Sequence, residues 1–227
     1  MASSGTTAFT IDLLDIIEEA YELVGTELRS GYDLKTARRS IDLLMREWGN
    51  RGINLWTVTS DTLDFDAEET SGTLGTDIID VIEAYWRTGS GTSQTDRTMT
   101  RMSVSEYSHI ANKNQTGQPS RFFINRTETP TIYVWPVPVE AGTLVYWKLR
   151  RIEDTGAYGN TMDIPTRFLP ALTTGLAYYL AMKAGNTDSM TARIQMLQAE
   201  YERQFVLASE EDRERASVWL VPDLSGY

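Results

Sequence analysis

The side chains that could do chemistry are few, and most are carboxylates. The run Asp61 to Glu69 holds five of them. Within it Asp64, Asp66 and Glu68 alternate, as the first ligands of a calcium loop do. The sixth position is then Glu69 where such a loop needs Gly, and the twelfth is Gly75 where it needs a bidentate Glu, so the pattern fails. A carboxylate pair for acid hydrolysis stays open, because the fold sets the separation that defines one. The run is expected to be a solvated acidic loop. The single histidine, His109, has no Ser, Cys or Asp motif around it, and is expected to be structural or on the surface. Gly89-Ser90-Gly91 lacks the Lys and the strand-to-helix setting of a phosphate loop, and no G-x-S-x-G elbow is present. With no Cys among 227 residues, a thiolate nucleophile, a disulfide scaffold, a zinc ribbon and an iron–sulfur site are excluded. No catalytic residue, metal or cofactor is expected.

The formal charge is −11, and it is segregated along the chain. Residues 1–33 hold seven acids and one base, and residues 52–87 hold eight acids and one base. Two basic groups alternate with them. One is Lys35, Arg38, Arg39, Arg46 and Arg51. The other is Arg97, Arg101, Lys113, Arg121 and Arg126. Either could touch DNA. The favoured reading is a pairing surface for an acidic neighbour, including another copy of this chain, since the whole-protein field repels phosphates.

The elements that must position these groups follow from periodicity. A first helix is predicted from Thr10, its N-cap, to Val24, with Gly25 as the left-handed stop. Leu13, Ile16, Ile17, Ala20, Leu23 and Val24 form its apolar stripe. A second helix is predicted from Asp33 to Gly49, packed on the first as a hairpin. The period then becomes extended over Ile53 to Thr59 and Ile78 to Trp86. Ser103-Val-Ser-Glu106 is a capping box, predicting a short helix over Tyr107 to Asn112. Arg121 to Arg126, Thr131 to Trp135 and Gly142 to Arg151 read as an antiparallel meander. Ile132-Tyr133-Val134-Trp135 is apolar on both faces, more than a small insertion readily covers alone. A buried helix follows to about Ala184, entered at Pro165 and Pro170, with small residues that admit close neighbours. The last helix starts at Thr187 or Asp188 and could reach Arg215.

The expected fold class is α+β. N- and C-terminal helices (1–51 and 153–215) form one helical bundle, and a central antiparallel β-rich insertion (52–152) separates them in sequence. Residues 216–227 form an extended C-terminal arm. The N-terminus shows no targeting signal, and the apolar run Phe168 to Met182 is shorter than the ~20 residues of a bilayer span. A soluble protein of a reducing compartment, with no membrane contact, is expected.

Four segments stand out by their order and spacing. They are Leu44-Met-Arg-Glu-Trp-Gly-Asn-Arg-Gly-Ile-Asn-Leu-Trp56 and Ser103-Val-Ser-Glu-Tyr107. The third runs from Gly117-Gln-Pro119 through Pro130-Thr-Ile-Tyr-Val-Trp-Pro136, and the fourth is Asp163-Ile-Pro165 leading into Ala177-Tyr-Tyr-Leu-Ala181. Together they resemble the head-to-tail adaptor proteins of short-tailed phages, also called tail accessory factors or packaged-DNA stabilisation proteins. The resemblance spans about Phe9 to Ser217. It implies a virion protein of the head–tail junction, assembled in the host cytoplasm as a ring of typically twelve copies under the portal. It implies partners in the portal, in tail (nozzle, needle or fibre) proteins and in copies of itself, with genomic DNA passing through unread. By position the portal-binding arm holds Val218, Trp219, Leu220, Val221 and Tyr227. Twelve extended residues reach ~40 Å, enough to span onto a neighbour. Arg38, Arg39, Arg46, Tyr133 and Trp135 are candidate inter-subunit or tail contacts. A monomer or weak oligomer is expected in isolation, and a ring on the portal. The alternatives are another neck or tail-tube structural protein, or an acid-pair hydrolase. If the acidic surplus lines the channel, it would let DNA slide.

Overall fold

Apolar residues at spacings of three and four dictate the helices of the computed structural model, which describes residues 12–29, 31–52, 55–156, 162–184 and 188–211. Helix α1 (Leu13–Val24) buries Leu13, Ile16, Ile17, Ala20 and Val24 and stops at Gly25, φ 81°. Asp12 holds the cap position, its amide donating to the Asp15 carboxylate; Thr10, the expected cap, lies outside the described residues. Helix α2 (Gly31–Asn50) buries Ala37, Ser40, Ile41, Leu44, Met45 and Trp48. It begins two residues before the expected Asp33. Helix α4 (Leu169–Lys183) carries Pro170 in its first turn, where a missing N–H costs nothing. Helix α5 (Asp188–Glu211) buries Leu197, Tyr201, Phe205 and Ala208 at helical spacing.

The chain divides into two compact units, residues 1–55 with 154–227, and residues 56–153. In the helical unit α4 is the common partner, packed against α1, α2 and α5. The short loop after Gly25 predicts α1 and α2 side by side; Tyr21 Oη of α1 donates to the Asp33 carbonyl of α2 at 3.2 Å, but each helix packs mainly on α4. Ala171, Gly175, Ala177 and Ala181 explain this, because small residues on several faces of α4 let more than one helix approach it. A Cβ placed on Gly175 would lie 2.9 Å from Leu44 Cδ2 and from two ring carbons of Tyr201, so α2 and α5 both close on that glycine.

The β unit is a sheet of strands β1 (Val58–Phe65), β2 (Ser71–Thr73), β3 (Ile78–Thr88), β4 (Thr95–Arg101), β6 (Arg121–Asn125), β7 (Thr131–Trp135) and β9 (Gly142–Arg150). Their order is β1-β9-β3-β4-β6-β7-β2. A small parallel pair joins β5 (Thr116–Gly117) to β8 (Val137–Pro138). Helix α3 (Val104–His109) lies three residues before the expected Tyr107 to Asn112, because Ser103 is the N-cap and Glu106 already the third helical residue: Glu106 N–H donates to Ser103 Oγ at 3.2 Å and Ser103 N–H to the Glu106 carboxylate.

The expected meander is half right. Strands β6 and β7 pair antiparallel, but β9 inserts between β1 and β3. The connection 136–141 opens on Pro136, which has no N–H to continue the β7 ladder; the next two residues pair with β5 instead, and the chain then crosses to β9. The strand expected over Ile53 to Thr59 begins at Val58 and runs into the acidic stretch, which is therefore mostly strand and not loop. Leu63 and Phe65 point inward while Thr62 and Asp64 point out, a two-residue period hidden by the charge. A Cβ on Gly72 would lie 2.4 Å from Leu63 Cδ2, so the sheet curls until β2 lies against β1. Phe65, Val81, Ala84, Trp86, Phe122, Ile132 and Leu144 fill the space enclosed.

Candidate functional site

Within the β unit the cations of the second basic group are consumed at home. Arg101 and Arg126 both grip Asp80, at 2.9 and 2.6 Å. Arg97 donates to Gln118 Oε1 at 2.6 Å. Lys113 donates to the carbonyls of Ser108 and Ile110. Arg121 lies over the Trp135 ring. Lys148 sits between Asp61, at 2.9 Å, and Asp77, at 3.3 Å. The Asp61 bond outranks the cost of burial and holds the ammonium above its ordinary range. Burial and then the Asp61 carboxylate push the Tyr146 hydroxyl up to about 12.

Tyr133 and Trp135 belong to this unit. Tyr133 joins Phe123 and Tyr107 in an aromatic group with ring centroids 4.7 to 5.9 Å apart. Trp135 Nε1 donates to the Asn112 carbonyl at 3.2 Å. Helix α3 and the segment after it thus cover the second face of β7 from inside the insertion. Both rings are half-buried.

Arg38, Arg39 and Arg46 belong to the helical unit. Arg38 Nε donates to Thr155 Oγ1 at 3.2 Å, and Thr155 in turn donates to Asp42. Arg46 and Arg39 are exposed. At the end of the same helix Arg51 donates to Glu47 and, at 2.8 and 2.9 Å, to Glu202 of α5. Glu47 also accepts from Tyr179 Oη at 2.8 Å and Tyr201 Oη at 3.4 Å, and Tyr201 accepts Trp48 Nε1 at 3.0 Å. Burial, reinforced by the Glu47 bond, lifts the Tyr179 hydroxyl to about 12. Nothing in the linear order announces this network, which ties α2, α4 and α5; Glu47 and Arg51 read only as surface charges one turn apart.

Chemically these groups are occupied. His109 Nδ1 lies 2.6 Å from the Ser105 carbonyl, an acceptor, so that nitrogen carries a proton and cannot serve the Ser105 hydroxyl as a base. Asp64 accepts from Thr143 Oγ1 at 2.7 Å, and Glu69 accepts the Asp66 amide. Among the described residues no group of three or more His, Cys, Asp or Glu is placed to hold a metal. No helix among them is long and apolar enough to cross a membrane.

One concavity stands out in the helical unit, a groove of about 920 Å³ between α1 and α2, floored by α4. Tyr32, Thr36, Arg39 and Leu43 line its α2 wall, a stripe at spacings of four, three and four. That stripe lies beside the core stripe of α2 and is legible in the sequence as a second apolar–polar face. Lys183, from the last turn of α4, gives no such signal. The arm residues Val218, Trp219, Leu220, Val221 and Tyr227 lie outside the described residues.

Among curated proteins, none matches the chain. A family model described as SU10 adaptor protein matches residues 11–222. That interval takes in both units, the four segments that resemble head-to-tail adaptors, and positions 218–221 of the arm. The chain belongs to the SU10 adaptor protein family.

Proposed function

We propose that this protein is a structural head-to-tail adaptor of a phage virion. Copies of it, twelve by the resemblance, form a ring under the portal, extend the DNA channel, retain packaged genome and dock tail proteins. The helices of the first unit close as a bundle that builds the ring wall. The β unit is an insertion domain, and residues 216–227 reach the portal through Val218, Trp219, Leu220, Val221 and Tyr227. The observation that carries this reading is the family match over both units and into the arm. Two further observations support it. Asp61 is engaged by Lys148, Glu202 by Arg51, and Glu47 by Arg51 and the Tyr179 hydroxyl, which favours a scaffold over a hydrolase. The charge of −11 suits a wall past which DNA slides without being held.

Co-sedimentation with purified portal protein, followed by electron microscopy of the complex, tests the reading. A ring seated on the portal is expected. Deletion of residues 216–227 is expected to leave the far-ultraviolet circular dichroism unchanged and to abolish co-sedimentation. Absence of any portal complex with the full chain would overturn the proposal.

A further inference from the structure

The groove between α1 and α2 has a charge pattern that its own unit leaves unanswered. Arg39 and Lys183 both line it, and among the described residues neither has a carboxylate partner. Lys183 donates to Ser40 Oγ at 2.7 Å. Burial, and then the positive charge of Arg39, hold its ammonium below the ordinary lysine range. Two like charges have been placed near each other in a chain with an excess of acids. The acids on the groove's rim do not face them free. Asp33 accepts the Arg29 amide at 3.3 Å, and Glu27 lies 3.6 Å from the Arg29 guanidinium. The Thr36 hydroxyl lies on the same wall, buried and, among the described residues, without a hydrogen-bond partner. Around these polar atoms stand Tyr32, 71% exposed, Leu43, 54% exposed, and a floor that includes Leu180. An apolar floor, flanking apolar side chains and unanswered cations are what an amphipathic acidic helix would recognise.

The complement lies on α1. Its outer face carries Asp15, Glu18, Glu19 and Glu22, all exposed, with exposed Leu14 beside them. The helix has no base, and among the described residues none of these four acids has a basic partner. The inner face of α1 packs on α4, so the acidic face points away from the unit's core.

We infer that the α1–α2 groove of one copy receives the acidic α1 face of a second copy of this chain, Arg39 and Lys183 meeting Glu18, Glu19 and Glu22. The inference deepens the ring reading and rests on it. Groove and acidic face are different surfaces, so the contact is head-to-tail and each copy keeps one of each free for the next, as a ring requires. A few ion pairs around a modest apolar contact give weak association in solution.

Sedimentation velocity of the full chain over a concentration series tests this, with two charge-reversed forms. One carries Arg39→Glu and Lys183→Glu; the other carries Glu18→Lys, Glu19→Lys and Glu22→Lys. Wild type is expected to self-associate weakly, and each reversed form to associate about tenfold or more less strongly, because like charges then face each other. An equimolar mixture of the two is expected to recover association, since each supplies the other's complement. Circular dichroism establishes that both forms fold; a form that does not is replaced by Arg39→Gln or Glu19→Gln, expected to weaken association in the same direction. Association untouched by both reversals would overturn the groove contact and leave the ring reading standing. No association of wild type at any concentration, or a mixture that stays apart, would also overturn the contact, while portal co-sedimentation decides the ring separately. A short duplex DNA that binds wild type and is lost with Arg39→Glu, with no chain–chain association, would assign the groove to phosphate and overturn it too.

Discussion

Gly175 is the position where crowding can be set against helix propensity. It lies inside α4, where replacing Gly by Ala favours a helix by about 1 kcal/mol. In an open helix Gly175→Ala would therefore stabilise. Here the added methyl would stand 2.9 Å from Leu44 Cδ2 and from Tyr201 Cδ2 and Cε2. The leucine tip can swing, but the tyrosine ring cannot easily do so. Tyr201 is buried, accepts Trp48 Nε1 at 3.0 Å and stacks with Tyr178. Overpacking of this kind costs about 1–3 kcal/mol, so the net for Gly175→Ala is a loss of about 1 kcal/mol. Gly175→Val brings two more methyls and a β-branch into the same gap, and a loss of about 3 kcal/mol or more is expected. Urea unfolding followed at 222 nm reports the helical unit. With a slope of about 2 kcal/mol per molar, the Ala midpoint should fall by about 0.5 M and the Val midpoint by more than 1 M. Amide exchange in β3 and β9 should stay unchanged. A midpoint for Gly175→Ala above that of wild type would refute the argument, since it would mean that α2 and α5 do not close on this glycine.

Other perturbations probe the rest of the fold. Tyr201→Phe leaves the buried Trp48 N–H without its acceptor and should cost about 1–3 kcal/mol, while adding Trp48→Phe should recover part of it in a double-mutant cycle of chemical unfolding. Asp80→Asn should lower the melting temperature of the β unit by leaving Arg101 and Arg126 without their shared charge, a loss of about 1 kcal/mol. Tyrosine ionisation followed by ultraviolet absorbance should lag in the native protein, since Tyr146 and Tyr179 stay protonated until about pH 12. Their folded values lie above the unfolded value of about 10, so the stability they contribute is present below pH 10 and is lost as pH rises toward 12. Denaturation in urea should abolish the lag, and Tyr179→Phe should remove its share.

The helices were legible because burial leaves a periodic trace. Leu13 to Val24, Ala37 to Trp48 and Leu197 to Ala208 show their inward faces directly. The capping box at Ser103 and the strand Thr131–Trp135 were equally plain, each resting on local chemistry. Pairing was harder. The insertion of β9 between β1 and β3 depends on contacts between residues about 55 to 90 positions apart, and no local pattern carries them. The acidic run reads as loop because Asp61 and Asp64 mask the alternation of Leu63 and Phe65. The basic residues are visible as two groups, but not the fact that Arg101 and Arg126 share Asp80 while Arg39 and Lys183, among the described residues, have no carboxylate partner. Charge composition says how many partners exist; only the fold says which are already taken.

The sheet's strand order also has a mechanical consequence. Strands β1 and β9 are held together over eight paired positions, whereas β4 and β6, the one parallel junction in the sheet, meet over two. Under tension this short junction is the seam along which the sheet would part first. Asp80 on β3 reaches across it, gripping Arg101 on β4 and Arg126 just past β6, so the weakest seam is riveted by an ion cluster. A rivet of that kind softens with salt. The two halves of the sheet should therefore stretch as separate plates at high ionic strength and as one at low.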